Sequence, residues 1–181
     1  MKKLLILSAA LFMAYAGQAQ EKPFRIGIKF GVPNIVGLNA EYVTPILGGK
    51  LAPTADFSYF SLSASGAKVS FSYFELGGNY YLMNQGKGLY GHLSYGNIAF
   101  KGSYDDPQYG DGEGKATVSL VNLKLGAKLG NTVYFRPELG YALAGAGKVS
   151  VKYDDGTTEE EDIPGFLTGG LVVNLGFGFA F

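Results

Sequence analysis

The chain ends in LVVNLGFGFAF (171–181), and the alternation in that run decides the fold. Leu171, Val173, Leu175, Phe177, Phe179 and Phe181 fall on one parity. Gly170, Asn174, Gly176, Gly178 and Ala180 fall on the other, with Val172 as the one large apolar exception. A period of two is the signature of a strand with one apolar face and one small or polar face. A soluble protein rarely leaves such a strand at its terminus, so the rest of the chain has to say where the apolar face goes.

Seven earlier segments repeat the pattern. FRIGIKFG (24–31) sets Phe24, Ile26, Ile28 and Phe30 against Arg25, Gly27, Lys29 and Gly31. Segment 35–44 sets Val36, Leu38, Ala40 and Tyr42 against Gly37, Asn39 and Glu41. A third, near 52–61, has Ala55, Phe57 and Tyr59 as its apolar face. The fourth, 68–82, sets Phe74, Leu76, Gly78, Tyr80 and Leu82 against Glu75, Gly77 and Asn79. The fifth, 89–101, begins with Leu89, Gly91, Leu93 and Tyr95 opposite His92, Ser94 and Gly96. Its apolar side then moves to Ile98 and Phe100, which predicts a bulge near Gly96-Asn97. The sixth, 117–129, sets Val121, Leu123, Leu125, Ala127 and Leu129 against Asn122, Gly126 and two lysines. The seventh, 133–146, sets Phe135, Pro137, Leu139, Tyr141 and Leu143 against Arg136, Glu138 and Gly140. Pro137 donates no ladder hydrogen bond, so pairing is expected to be disturbed there. No segment after residue 20 carries a sustained helical period with caps.

The connections differ in length by turn. Segments 32–34, 62–67, 102–116 and 147–165 alternate with 45–51, 83–88 and 130–132. The two longest fall on one side, and 147–165 reads as a strand extension around a turn. Short turns at one end and long loops at the other are what a transmembrane barrel shows. The face opposite the apolar stripe carries glycine, asparagine and charges of both signs. As a solvated exterior, glycine is a poor choice, because it weakens a strand and packs nothing. In a crowded lumen, small residues make room for a few long ones, and the apolar exterior then needs lipid. The expected fold is all-β: an eight-stranded, antiparallel, up-and-down transmembrane β-barrel.

The start of the chain gives an address. Lys2 and Lys3 precede an apolar run, Leu4 to Ala16, and then Gly17-Gln18-Ala19. This is a signal peptide over 1–19, leaving a barrel domain over 20–181. Without Lys2 and Lys3 there are 13 basic residues against 15 acidic ones, a net charge of −2 that gives no reason to expect nucleic acid as a partner. The chain has no cysteine, which excludes disulfides, thiol nucleophiles and thiolate metal sites. No cofactor is expected. Its 28 glycines and 26 phenylalanines and tyrosines argue for twisted strands rather than disorder.

Leu175-Gly176-Phe177-Gly178-Phe179-Ala180-Phe181 resembles the C-terminal sorting signal of bacterial outer-membrane barrels, with Leu175, Phe177, Phe179 and Phe181 at the signal positions. The mature chain resembles the small eight-stranded barrels related to the OmpA membrane domain and OmpX. The phrases ELGGNYYL and PELGYAL look most like the PorT-like outer-membrane barrel domain of Bacteroidota. The resemblance implies a Gram-negative outer membrane, with long loops extracellular and both termini periplasmic. It also implies outer-membrane lipid and lipopolysaccharide as neighbours and the barrel assembly machinery as a partner during insertion.

The lumenal parity collects Arg25, Lys29, Glu41, Glu75, Lys124, Lys128, Arg136 and Glu138, joined by His92 and Asn79. Eight strands enclose little more than side-chain volume, so these charges must pair or stay hydrated. Counting from the turns places Glu138 near Lys124 and Arg136 near Lys128. His92 and Ser94 resemble the base and nucleophile, two apart, of the lipid A deacylase barrels. That family's pair faces lipid, whereas this one falls on the lumenal parity with no adjacent carboxylate evident, and a lumenal His92 bonded to Asn79 or Glu75 is the simpler reading. Ten acidic residues gather in the two long loops: Asp105, Asp106, Asp111, Glu113, Asp154, Asp155, Glu159, Glu160, Glu161 and Asp162. They match no EF-hand spacing and read as a solvated face, with divalent bridging to lipopolysaccharide as a minor use. Tyr42, Tyr59, Tyr80, Tyr90, Tyr134 and Tyr141 are expected in an interfacial girdle.

The sequence therefore predicts a non-enzymatic outer-membrane barrel with a structural role, or an accessory subunit of a larger envelope complex. A small low-conductance pore, a lipid A hydrolase and a surface adhesin are the alternatives.

Overall fold

The computed structural model describes residues 22–64, 67–106, 110–143, 145–152, 157–163 and 169–181. The expected signal peptide, Asp154 and Asp155 lie outside the described residues. Ten strands form one antiparallel sheet: β1 (Phe24–Val32), β2 (Ile35–Tyr42), β3 (Leu51–Ala64), β4 (Ala67–Met83), β5 (Lys87–Asp106), β6 (Gly110–Gly130), β7 (Val133–Leu143), β8 (Gly147–Lys152), β9 (Thr158–Ile163) and β10 (Gly170–Ala180). Each of β1 to β6 pairs with the next, β7 pairs with β10, and β10 pairs with β1. The wall is thus a closed barrel of eight antiparallel strands. The terminal run is its seam. Phe24 N–H donates to Phe181 O at 3.1 Å, and Phe181 N–H donates back to Phe24 O at 2.9 Å.

We call the end that holds Phe24 and Phe181 the base and the opposite end the rim. Outward rows near the middle of the wall are apolar on every strand they cross. Ala55, Leu76, Tyr95, Val121 and Leu143 are successive register partners, as are Pro53, Gly78, Leu93, Leu123, Tyr141 and Leu171. Leu125 is 73% exposed at the centre of this band. Inside the wall the order reverses, and Arg25, Lys29, Glu41, Asp56, Glu75, Lys124, Arg136 and Glu138 are all buried. Many lumenal glycines are there for space. A Cβ on Gly126 would run into the Tyr90 ring, and one on Gly96 would stand 3.0 Å from the Tyr73 hydroxyl. Each of these tyrosines lies across a glycine of a neighbouring strand.

Three sequence expectations need correction. The bulge near Gly96-Asn97 does not exist, because β5 keeps one register with β4 and one with β6 through that point. Ile98 and Phe100 stay on the inward parity, and it is the lumen that changes. Ile98 packs with Val118 against Leu120, Ala142 and Val172, an apolar layer that also explains the exceptional Val172. Tyr90 and Tyr134 are not girdle residues but buried lumenal ones. Tyr59, Tyr80 and Tyr141 do face outward. Finally, segments 62–67 and 102–116 are largely strand, since β3–β4 and β5–β6 continue as tall hairpins. The segment 147–165 does hold a strand extension, the β8–β9 hairpin, with β8 pairing to β6 where β7 has ended. Pro137 marks the expected disturbance: β6 and β7 pair at Gly126–Glu138 and again at Leu129–Phe135, but not between.

Candidate functional site

The lumen is filled by a continuous polar network. At its base-side centre is Glu41. Its Oε1 accepts from Arg25 Nη1 at 2.8 Å and from the Tyr81 hydroxyl at 2.7 Å. Its Oε2 accepts from Arg136 Nη2 and from Asn79 Nδ2 at 3.3 Å. Arg25 also reaches the Gln85 carbonyl in the β4–β5 turn at 3.1 Å, tying the network to the base. Both guanidinium groups lie over aromatic faces, with Arg25 5.5 Å from the Tyr81 ring centre and Arg136 5.0 Å from that of Tyr134. Planar cations of this kind favour a ring and a carboxylate together.

The second centre is Glu75. Lys124 Nζ donates to its Oε1 at 2.6 Å, Asn122 Nδ2 to its Oε2 at 2.6 Å, and the Tyr73 hydroxyl to the same oxygen. Glu138 takes the Tyr90 hydroxyl at 2.6 Å, with Lys29 at 3.1 Å and Lys124 at 3.8 Å. Lys29 also binds Asp56 at 2.6 Å. Asn39 and Asn79 join the two centres. Asn39 donates to Asp56 and accepts from Arg136 at 3.0 Å, while Asn79 bonds both Glu41 and His92.

Among the described residues, four carboxylates (Glu41, Asp56, Glu75, Glu138) thus face four paired cations (Arg25, Lys29, Lys124, Arg136). Lys128, the fifth cation, donates to the carbonyls of Gly130 and Asn131 in the β6–β7 turn at 3.0 and 3.4 Å. A buried charge removed from water needs this degree of compensation.

All eight charges picked out by parity lie in this network or at its base-side edge. The expected Glu138–Lys124 proximity is present, and the β6–β7 register sets Arg136 opposite Lys128 as expected, while the Arg136 guanidinium reaches across the lumen to Glu41. Asp56 escaped the sequence reading, although its position between outward Ala55 and Phe57 carried the signal. The lumenal tyrosines escaped it too, because alternation alone does not tell a ring that packs on glycine from one that meets lipid.

His92 does have a carboxylate beside it. Its Nε2 lies 2.9 Å from Glu75 Oε1, and its Nδ1 lies 2.6 Å from Asn79 Oδ1. Both ring nitrogens are therefore engaged inside the network, which leaves no base directed at Ser94. Among the described residues no cluster of histidine, aspartate and glutamate forms a metal site. The terminal Leu175, Phe177, Phe179 and Phe181 face outward, and the Phe177 ring packs on Phe135 at 4.9 Å. Glu159, Glu160, Glu161 and Asp162 are exposed along β9.

Towards the rim, the apolar layer of Ile98, Val118, Leu120, Ala142 and Val172 covers the network. Charge below and hydrocarbon above occupy the same narrow bore.

No protein-family model matches this sequence, and no curated protein matches it. Solved structures do match its fold. A major outer membrane protein from Thermus thermophilus aligns with TM-score 0.51 and 14% identity, over 87% of this chain and 97% of that one. CarO of Acinetobacter baumannii aligns with TM-score 0.47 and 10% identity, over 89% of this chain and 98% of that one.

Proposed function

We propose that this chain is an integral outer-membrane barrel whose role is structural, either alone or as an accessory subunit of an envelope complex. The observation that carries the reading is an occluded lumen inside an apolar exterior. About eight to ten residues of each wall strand at a tilt near 40° make a band about 20–26 Å tall, close to the roughly 25 Å of barrels in membranes. The lumen in that band holds paired ions capped by an apolar layer, so it offers ions neither a hydrated path nor free charges to exchange with. The Thermus protein of the same fold is itself described as an outer membrane protein. Residues 1–19 serve as the export signal, the base faces the periplasm and the tall hairpins stand outside, as unequal connection lengths favour.

Along the lipid-facing wall, a groove of about 440 Å³ runs over Ala40, Pro53 and Ala55 between Phe24, Leu76 and Phe181. Small residues set between large ones suit a partner subunit as well as they suit lipid chains. The test joins two measurements on the full protein extracted from its own membrane. Planar-bilayer recordings are expected to be silent, and native mass is expected to report either a lone barrel or a stoichiometric complex. Steady channel currents from the wild type would overturn the reading in favour of a pore.

A further inference from the structure

Above the closed wall the sheet turns inside out. β1 and β2 end at a low turn, but β3, β4, β5, β6, β8 and β9 rise past it as an open, curved sheet. Two inward rows of register partners cross this sheet. One runs Phe60, Phe71, Phe100, Ala116, Val149 and Glu161, and the other Leu62, Val69, Gly102, Gly114, Val151 and Glu159. The outward rows between them run Ser61, Ser70, Lys101, Lys115, Ser150 and Glu160, then Ser63, Lys68, Ser103, Glu113, Lys152 and Thr158. Below the rim the outside is apolar. Here the outside is polar and the concave inside is apolar.

Among the described residues, that concave face is not filled. Phe60 is 43% exposed, Leu62 62%, Val69 56% and Phe100 46%, although all four point inward. A Cβ built on Gly102 or Gly114 meets nothing within 4 Å. An open apolar patch of this kind marks a binding surface. Its floor is the layer around Leu120 and Val172. Its open side is the gap over the β1–β2 turn, where Val32 and Ile35 continue the apolar surface outward. Charge then selects the occupant. On these two inward rows the charged residues are Glu159 and Glu161, both on β9, while Lys68, Lys101, Lys115, Lys148 and Lys152 alternate to the outside.

We infer that this bowl binds a single-chain cationic amphiphile, with its hydrocarbon along the Gly102–Gly114 track and its ammonium head at the β9 carboxylates. The inference goes beyond the structural role and does not require a conducting lumen.

The experiment uses the full barrel in amphipol, free of micelles, with a diazirine-bearing dodecylamine as probe and mass-spectrometric mapping of its adducts. Saturable adducts are expected on 60–62, 69–71, 100–102 and 114–116. Dodecylamine should displace them about three- to fivefold better than dodecanoate, the share of one modest charge interaction. Gly102→Leu with Gly114→Leu fills the track and should abolish the adducts. Glu159→Gln with Glu161→Gln should keep them but remove the preference for the amine. Far-UV circular dichroism checks that each variant is folded. Adducts confined to outward residues such as Leu123 and Leu125, undiminished by either competitor, would overturn the site. Equal displacement by dodecanoate would overturn the cationic head.

Discussion

The lower wall and the rim sheet are made by the same strands with the same alternation, yet their inward faces carry opposite chemistry. On β6, Lys124 and Asn122 point into the lumen while Leu123 and Leu125 point out. A few residues earlier on that strand, Ala116 and Val118 point in while Lys115 and Thr117 point out, with no shift of register between the two regions. A sheet has no intrinsic inside. Which parity is apolar is set by what each face meets, and a change of surroundings along one strand reverses the pattern without a bulge. The strongest way to break the comparison is to attack the polar core that only the lower wall has. Glu41→Ala leaves Arg25 and Arg136 buried without their carboxylate, and this is expected to cost about 3–5 kcal/mol. Urea unfolding of the barrel in lipid vesicles measures it. A loss under about 1 kcal/mol would mean that water already fills the lumen and carries those charges.

The sequence shows the period of two everywhere, and so the strands, the closed sheet and the sidedness of the lower wall. Eight lumenal charges are visible by parity alone. What it hides follows from geometry across strands. Arg136 finds Glu41 over the lumen from a strand 95 residues away in sequence, and nothing in either segment announces that distance. Tyr90 looks like its outward neighbours until Gly126 is seen beneath its ring. The inversion at Gly96 is present in the sequence but has two physical solutions, an extra residue or a new environment. Only the continuous register with β4 and β6 chooses between them. The tall hairpins read as loops for a related reason. Ser103, Glu113 and Lys115 on the outer face resemble solvated coil when the residues that complete the alternation are themselves small, as Gly102, Gly114 and Ala116 are.

A paired substitution sharpens the comparison within one strand and one parity. Leu125→Lys places an ammonium at the middle of the apolar outer band and is expected to cost about 2–4 kcal/mol in a bilayer. Thr117→Lys, eight residues earlier on the same face, sets a lysine opposite Lys148 on a solvated surface, and is expected to cost no more than about 1 kcal/mol. Folding yield and urea midpoints in vesicles test both. Equal costs would show that the boundary between the two environments does not lie between these positions.

The smallest effect separates one residue type in two settings. Glu160 lies 3.6 Å from Lys148, both side chains more than half exposed on the outer face of the β8–β9 hairpin. Two long side chains in water lose rotamer freedom to meet, and salt screens what they gain. Glu160→Gln should therefore cost no more than about 1 kcal/mol, and less still in high salt. Glu41 takes part in ion pairs as well, but two guanidinium groups, a tyrosine and an asparagine fix it where no water competes, so added salt should leave the Glu41→Ala loss nearly unchanged. The decisive reading is the ratio of the two losses at low and high ionic strength. A ratio that grows with salt places Glu41 in a dry interior and Glu160 in solvent. A constant ratio would mean that both carboxylates face the same medium, and the two regions would then differ in shape but not in environment.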